Sequence, residues 1–195
     1  MSYLSYRYRN NKKQSALKHL VSVNIFISYY YNFHIWKLIN ITGVDLNLQF
    51  PALWEKAKEI KYTQGFNKPA PRDFVGFGPL TEPESLAIYN FTLSHNFSLI
   101  LSYHSQGEVI YWQFQDYNPP RSLEIGEKLS QASGYSLEET PFNSSFAGYK
   151  DWFIQNYNKP GYTIEVGIGE NPLLISQFDE IYNDNLGVLV LSAVS

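Results

Sequence analysis

Phe97-Ser98-Leu99-Ile100-Leu101-Ser102-Tyr103-His104-Ser105-Gln106-Gly107 is the stretch on which the fold turns. Its first seven residues form a short apolar run of the length of a strand, and such a run predicts a strand buried on both faces. The run ends on His104, and Gly107 permits a turn into a second strand over Val109-Ile110-Tyr111-Trp112. A third strand is predicted over Tyr162-Thr163-Ile164-Glu165-Val166. Upstream, Thr81-Glu82-Pro83-Glu84 has the form of a helix start, with Thr81 as cap, Pro83 in the first turn and Glu84 returning the hydrogen bond. That helix is predicted to reach about His95, with Leu86, Tyr89 and Leu93 along one face and Asn96 as its stop. Residues 122–132, 149–157 and 173–186 are further helix candidates, and the proline-rich stretch 68–79 is expected to be an exposed loop. Strands alternating with helices predict an α/β layered domain.

The chain has 195 residues, 44% of them hydrophobic and 17% charged, which is the composition of one folded domain with a sizeable core. Its 15 basic and 18 acidic residues give a net charge of −3, which argues against nucleic-acid binding through a broad positive surface. The absence of cysteine excludes disulfides, thiolate nucleophiles and cysteine-ligated metals. Any metal must therefore sit on carboxylates and on His19, His34, His95 and His104, the whole imidazole supply.

Charge divides the chain at Gly43. Residues 1–42 hold Arg7, Arg9, Lys12, Lys13, Lys18 and Lys37 with no acid, so this biased segment is +6 while the body from residue 43 to 195 is −9. The apolar stretch from Leu20 to Tyr31 is broken by Ser22, Asn24 and Ser28 and has no small-residue cleavage site. It is also shorter than the ~20 residues that span a bilayer. An edge strand or partly ordered arm is the expectation there, with no membrane partner; a cytoplasmic location is the default, with the cell envelope or spore as the alternative.

Several side chains are placed for chemistry. His104 ends the strongest predicted strand, where side chains leave a sheet edge, and is either a ligand or a histidine bonded to a backbone carbonyl. Glu165 is a lone carboxylate in an apolar strand running into Gly167-Ile168-Gly169, either poised as a general base by partial desolvation or salt-bridged to a lysine. Lys150-Asp151-Trp152 after Gly148 reads as a helix start with a packed indole.

Taken in order, Gly43-Val44-Asp45-Leu46-Asn47, Thr81-Glu82-Pro83-Glu84, Ser102 to Glu108, Lys150-Asp151-Trp152 and Thr163-Ile164-Glu165-Val166-Gly167 resemble the zinc carboxypeptidase family. Asn47-Leu48-Gln49-Phe50-Pro51 and Ala147-Gly148-Tyr149-Lys150-Asp151-Trp152-Phe153 resemble most its bacterial branch, which cleaves γ-D-glutamyl-diamino acid bonds in peptidoglycan stem peptides. The resemblance covers residues 43 to about 186. It implies the C-terminal portion of an α/β/α layered domain with a mixed sheet, a Zn2+ cofactor and a peptide or stem-peptide substrate. By resemblance, His104 is the last zinc ligand, Glu165 activates the zinc-bound water and returns its proton to the leaving amine, and Asn47 grips the substrate end. Lys150 aligns with the base of the side-chain pocket, where by resemblance it would pair with an acidic group such as the extra carboxylate of diaminopimelate; the other reading is a solvated surface lysine. Zinc lowers the pKa of bound water toward ~7 and polarises a carbonyl, so an imidazole and a nearby carboxylate are the residue types that this chemistry needs.

Three departures from the family pattern stand out, the first bearing on a strict carboxypeptidase preference and the last on the zinc site. Leu48 stands where digestive members carry an arginine for the terminal carboxylate, and near Phe142-Asn143 there is no tyrosine to close over substrate. More seriously, the family's first two ligands form a His-x-x-Glu pair. Here the residue three after His19 is Ser22, after His34 it is Lys37 and after His95 it is Ser98. Trp36-Lys37 is only a faint counterpart of the family's tryptophan and oxyanion-stabilising cation. The expectation is a domain whose N-terminal part is missing or supplied by a separate partner chain, with residues 1–42 unlike the family. The alternative is an inactive remnant that keeps a peptide-binding groove.

Overall fold

The protein is described here by a computed structural model, which covers residues 22–25 and 40–195. His19, His34 and the Trp36-Lys37 pair lie outside the described residues. Five strands, β1 (Ser22–Ile25), β2 (Ile100–His104), β3 (Val109–Tyr111), β4 (Ser136–Glu138) and β5 (Gly161–Glu165), form one sheet in the order β1-β2-β5-β3-β4. β1 and β5 run parallel to β2, β3 runs antiparallel to β5, and β4 runs parallel to β3, so the sheet is mixed. β1, at one end of that order, falls within the segment expected to hold an edge strand. Among the described residues, five α-helices pack around the sheet: α1 (Trp54–Thr63), α2 (Pro83–Leu93), α3 (Ser122–Ser133), α4 (Tyr149–Tyr157) and α5 (Phe178–Val194).

Side-chain alternation along the central strands sorts the core into two layers. Leu101, Ile110, Tyr162 and Ile164 point to the face covered by α3 and α5, where they pack with Ile125, Leu129 and Val188. Ile100 points to the opposite face, into a cluster with Trp152, Phe153 and Ile154 of α4 and Trp54 and Ala57 of α1. On that second face Gly161 lets α4 approach closely, since a Cβ there would lie 3.3 Å from both Ile154 Cγ1 and Lys150 Cγ. The same alternation carries Ser102 and His104 of β2, and Thr163 and Glu165 of β5, onto the α4 face.

Three local expectations are corrected. α2 begins at Pro83 with Glu82 as its flanking residue, and Thr81 is not its cap. The Thr81 hydroxyl instead meets Gln49 Oε1 at 3.1 Å and Glu82 Oε1 at 3.0 Å. The helix ends at Leu93, and it buries Ser85 and Thr92 rather than Leu86 and Leu93, which are exposed. Thr92 Oγ1 lies 2.9 Å from the Tyr149 hydroxyl, so this helix docks on α4 by a buried polar contact that an apolar pattern does not reveal. The stretch 68–79 is not wholly an exposed loop either: Phe74 and Val75 are 0% exposed. α5 starts later and runs further than expected, after a 3-10 turn at Ile175–Gln177.

Candidate functional site

A cavity of about 340 Å3 lies on the α4 face over the C-terminal halves of β2 and β5. Asn47, His104, Lys150 and Glu165, singled out from four separate stretches of sequence, all line it. Its floor is a grid set by strand register: Ser102 is opposite Thr163 and His104 opposite Glu165, with Tyr111 of β3 on the far side of Thr163. The Ser102 Oγ is buried and has no hydrogen-bond partner among the described residues. The loops leaving β2 and β5 are tied to each other, because Ser105 Oγ donates to Asn171 Oδ1 at 2.7 Å and Asn171 Nδ2 donates back to the Ser105 carbonyl at 3.0 Å.

His104 keeps part of its surface open to the cavity, yet it is packed closely enough that burial lowers its pKa to about 4. The ring is therefore neutral at neutral pH, the form that can accept a hydrogen bond or ligate a metal. Its Nδ1 lies 3.5 Å from Asn47 Nδ2. Asn47 is held in a 3-10 turn (Leu46–Leu48) that Asp45 caps, with the Asp45 carboxylate accepting from the Asn47 backbone N–H at 3.1 Å and the Asp73 N–H at 3.0 Å. Leu48, the residue where digestive relatives carry an arginine, is 8% exposed and packs into the core beside this turn.

Lys150 is neither solvated nor free. Its ammonium donates to the Gln113 carbonyl at 2.6 Å and Thr140 Oγ1 at 2.8 Å, and pairs with Asp151 Oδ1 at 3.0 Å. The ammonium thus makes two hydrogen bonds and one ion pair, and Asp151 Oδ1 accepts no hydrogen bond among the described residues. The other Asp151 oxygen accepts from the Gly148 N–H at 3.2 Å, so α4 does start here as expected, with Trp152 buried behind it.

The opposite wall was not foreseen. Lys61 of α1 donates to Asp73 at 2.6 Å, and Arg72 Nε donates to the second oxygen of the same carboxylate. Burial works to raise the Asp73 pKa, but the bonds from Lys61 and Arg72 prevail and hold it below the usual carboxylate range. Asp45 behaves oppositely: desolvation outweighs its two backbone bonds and pushes it up to about 6. A carboxylate raised in the folded state favours folding at low pH. This contribution is complete below the unfolded value of about 3.8 and is lost as pH rises through about 6. Carbon NMR of the Asp45 carboxyl is expected to show a midpoint near 6. A midpoint at or below 4 would contradict the burial described here.

The zinc carboxypeptidase family matches residues 3–187, a span that takes in most of the basic N-terminal segment. This chain belongs to the zinc carboxypeptidase family. Gamma-D-glutamyl-L-diamino acid endopeptidase 1 of Lysinibacillus sphaericus is 48% identical over 159 residues, or 82% of this chain. The match spans 38% of that relative's own length. Among solved structures, bovine thrombin-activatable fibrinolysis inhibitor aligns over 77% of this chain and 56% of its own, with a TM-score of 0.61 and 17% identity. Murein-tripeptide amidase MpaA from Escherichia coli O157 aligns over 78% and 60%, with a TM-score of 0.54 and 22% identity. These structures share the zinc carboxypeptidase fold with this chain over part of their length.

The family implies zinc, and the described residues do not fit it. Among them, no group of three or more His, Cys, Asp or Glu side chains is arranged to hold a metal ion. Among the described residues, His104 is the one imidazole lining the cavity, whereas a catalytic zinc takes three protein ligands. His95 Nδ1 meets instead the Ser94 hydroxyl and the Phe91 carbonyl on the surface of α2. No described helix is long and apolar enough to cross a membrane.

Proposed function

We propose that the cavity is the substrate-holding part of a peptidase site for γ-D-glutamyl-diamino acid amides of peptidoglycan stem peptides. The observation that carries this is the convergence of Asn47, His104, Lys150 and Glu165 on one cavity, in a chain 48% identical to an endopeptidase named for that bond. Lys150 receives the distal carboxylate of the diamino acid. Its ammonium keeps Asp151 and the Gln113 carbonyl, and the incoming carboxylate takes the place of the neutral Thr140 hydroxyl. Asn47 hydrogen-bonds the peptide, and Glu165 takes a proton from the attacking water and delivers it to the departing amine nitrogen. No step of this reading runs through a metal, because the described residues supply a single imidazole to the cavity.

That same shortage favours a second reading, in which the cavity binds stem peptide without cleaving it. One set of measurements separates the two. Peptide affinity by calorimetry, zinc content and hydrolysis are followed on the same sample of the 195-residue chain. In the first reading Glu165→Gln leaves binding within a few-fold and lowers turnover by about 10²–10⁴. Binding without turnover, whatever the zinc content, decides for the second. A chain that does not bind the peptide at all overturns both.

A further inference from the structure

We propose that Arg72 is a specificity-determining residue that reads the free α-carboxylate of the glutamyl residue, on the acyl side of the scissile amide. This rests on the functional reading above, in which Lys150 reads the carboxylate of the diamino acid on the other side.

A γ-linked glutamyl residue differs from an α-linked one in leaving its α-carboxylate free, separated from the scissile carbonyl by two methylenes and the α-carbon. A cavity selecting this linkage has a second anion to recognise. Arg72 and Lys150 line one cavity from different walls, one anchored on α1 through Lys61 and Asp73, the other on α4. Their surroundings differ in the way the two tasks require. Lys150 is 4% exposed with three partners, so it suits a group buried at the bottom of the cavity. The Arg72 side chain is 77% exposed, and among the described residues only its Nε is committed, to Asp73.

Asp73 is a firm base for that arginine. Its carboxylate bridges Lys61 and Arg72, its backbone is left-handed with φ 64°, and its N–H is held by Asp45. Two cations share this one carboxylate, and Asp45 is turned onto backbone N–H groups. Among the described residues, the terminal guanidinium nitrogens of Arg72 are therefore uncommitted and reach beyond the carboxylate that holds Nε. A guanidinium held at Nε presents those two nitrogens as a fork, which matches the two oxygens of a carboxylate.

The test titrates two peptides into the full chain by calorimetry: γ-D-glutamyl-diaminopimelate and the same peptide with its glutamyl α-carboxylate converted to the carboxamide. The acid is expected to bind the unmodified chain about 10-fold more tightly than the amide, the size of one charge-assisted pair at an open wall. Arg72→Gln is expected to erase that preference while leaving the affinity for the amide unchanged, and the exposed position leaves the fold intact by circular dichroism. An Arg72→Gln protein that keeps the preference, or that weakens both peptides equally, overturns the role of Arg72 while the functional reading stands. Failure of the unmodified chain to bind either peptide overturns the functional reading, and this inference with it.

Discussion

Lys150→Met is expected to lower the unfolding free energy by about 3–5 kcal/mol, measured by urea denaturation. The Lys150 and Asp151 side chains are each 4% exposed and 3.0 Å apart. Removing the ammonium leaves the Asp151 carboxylate buried with the Gly148 N–H as its remaining hydrogen bond, and leaves the Gln113 carbonyl without its 2.6 Å donor. Breaking one partner of a buried pair costs far more than removing both, so Lys150→Met combined with Asp151→Asn is expected to recover a large part of the loss. The cavity is affected as well: in the proposed function the variant loses affinity for peptides with a distal carboxylate and not for those without one. A loss below about 1 kcal/mol would mean that the pair is solvated, like an ordinary surface ion pair.

Gln49→Leu is expected to cost about 3 kcal/mol or more, because one side chain there holds the loop 68–79 and the start of α2. Gln49 is 0% exposed. Its Nε2 donates to the Val75 carbonyl at 2.7 Å and the Gly78 carbonyl at 3.1 Å. Its Oε1 accepts from the Thr81 N–H at 2.9 Å and the Glu82 N–H at 3.2 Å. Leucine removes the acceptor of the Thr81 and Glu82 N–H groups and leaves the Val75 and Gly78 carbonyls only the longer bonds from Trp54 Nε1 at 3.4 Å and the Thr81 hydroxyl at 3.3 Å. The neighbouring Gly76 shows how tight this packing is: its φ is +83°, and a Cβ there would lie 2.7 Å from Gln49 Nε2. Hydrogen exchange is expected to accelerate at Thr81 and Glu82 in the variant and to stay unchanged in β2, localising the damage to the loop and the helix start.

Strand ends and ordered motifs made much of this site legible in sequence, and polar packing hid the rest. His104 and Glu165 sit on recognisable strands, and period-2 alternation places Ser102 and Thr163 beneath them on the same face, a signal that could have marked both as lining residues. α1 was not foreseen, since its buried positions are Trp54, Ala57 and Lys61, and a lysine in the buried stripe breaks the apolar pattern. The reason Lys61 can be buried, Asp73, lies in a proline-rich stretch that composition marks as exposed loop. Likewise Thr81-Glu82-Pro83-Glu84 has the form of a self-contained cap, and only the fold shows that the capping group is Gln49 from another part of the chain. Each of these misses is a long-range polar contact, which neither periodicity nor local turn chemistry encodes.

The place of β5 has a consequence for how the chain is made. It is the last described strand in sequence, yet it lies between β2 and β3. On the ribosome, β2 and β3 emerge with no strand between them, each showing an unpaired edge until residues 161–165 arrive. The arrival that fills the gap also puts Glu165 opposite His104. Completion of the sheet and appearance of the cavity floor are thus a single late event in synthesis. Those unpaired edges are the stage at which a chaperone would protect the nascent chain from self-association.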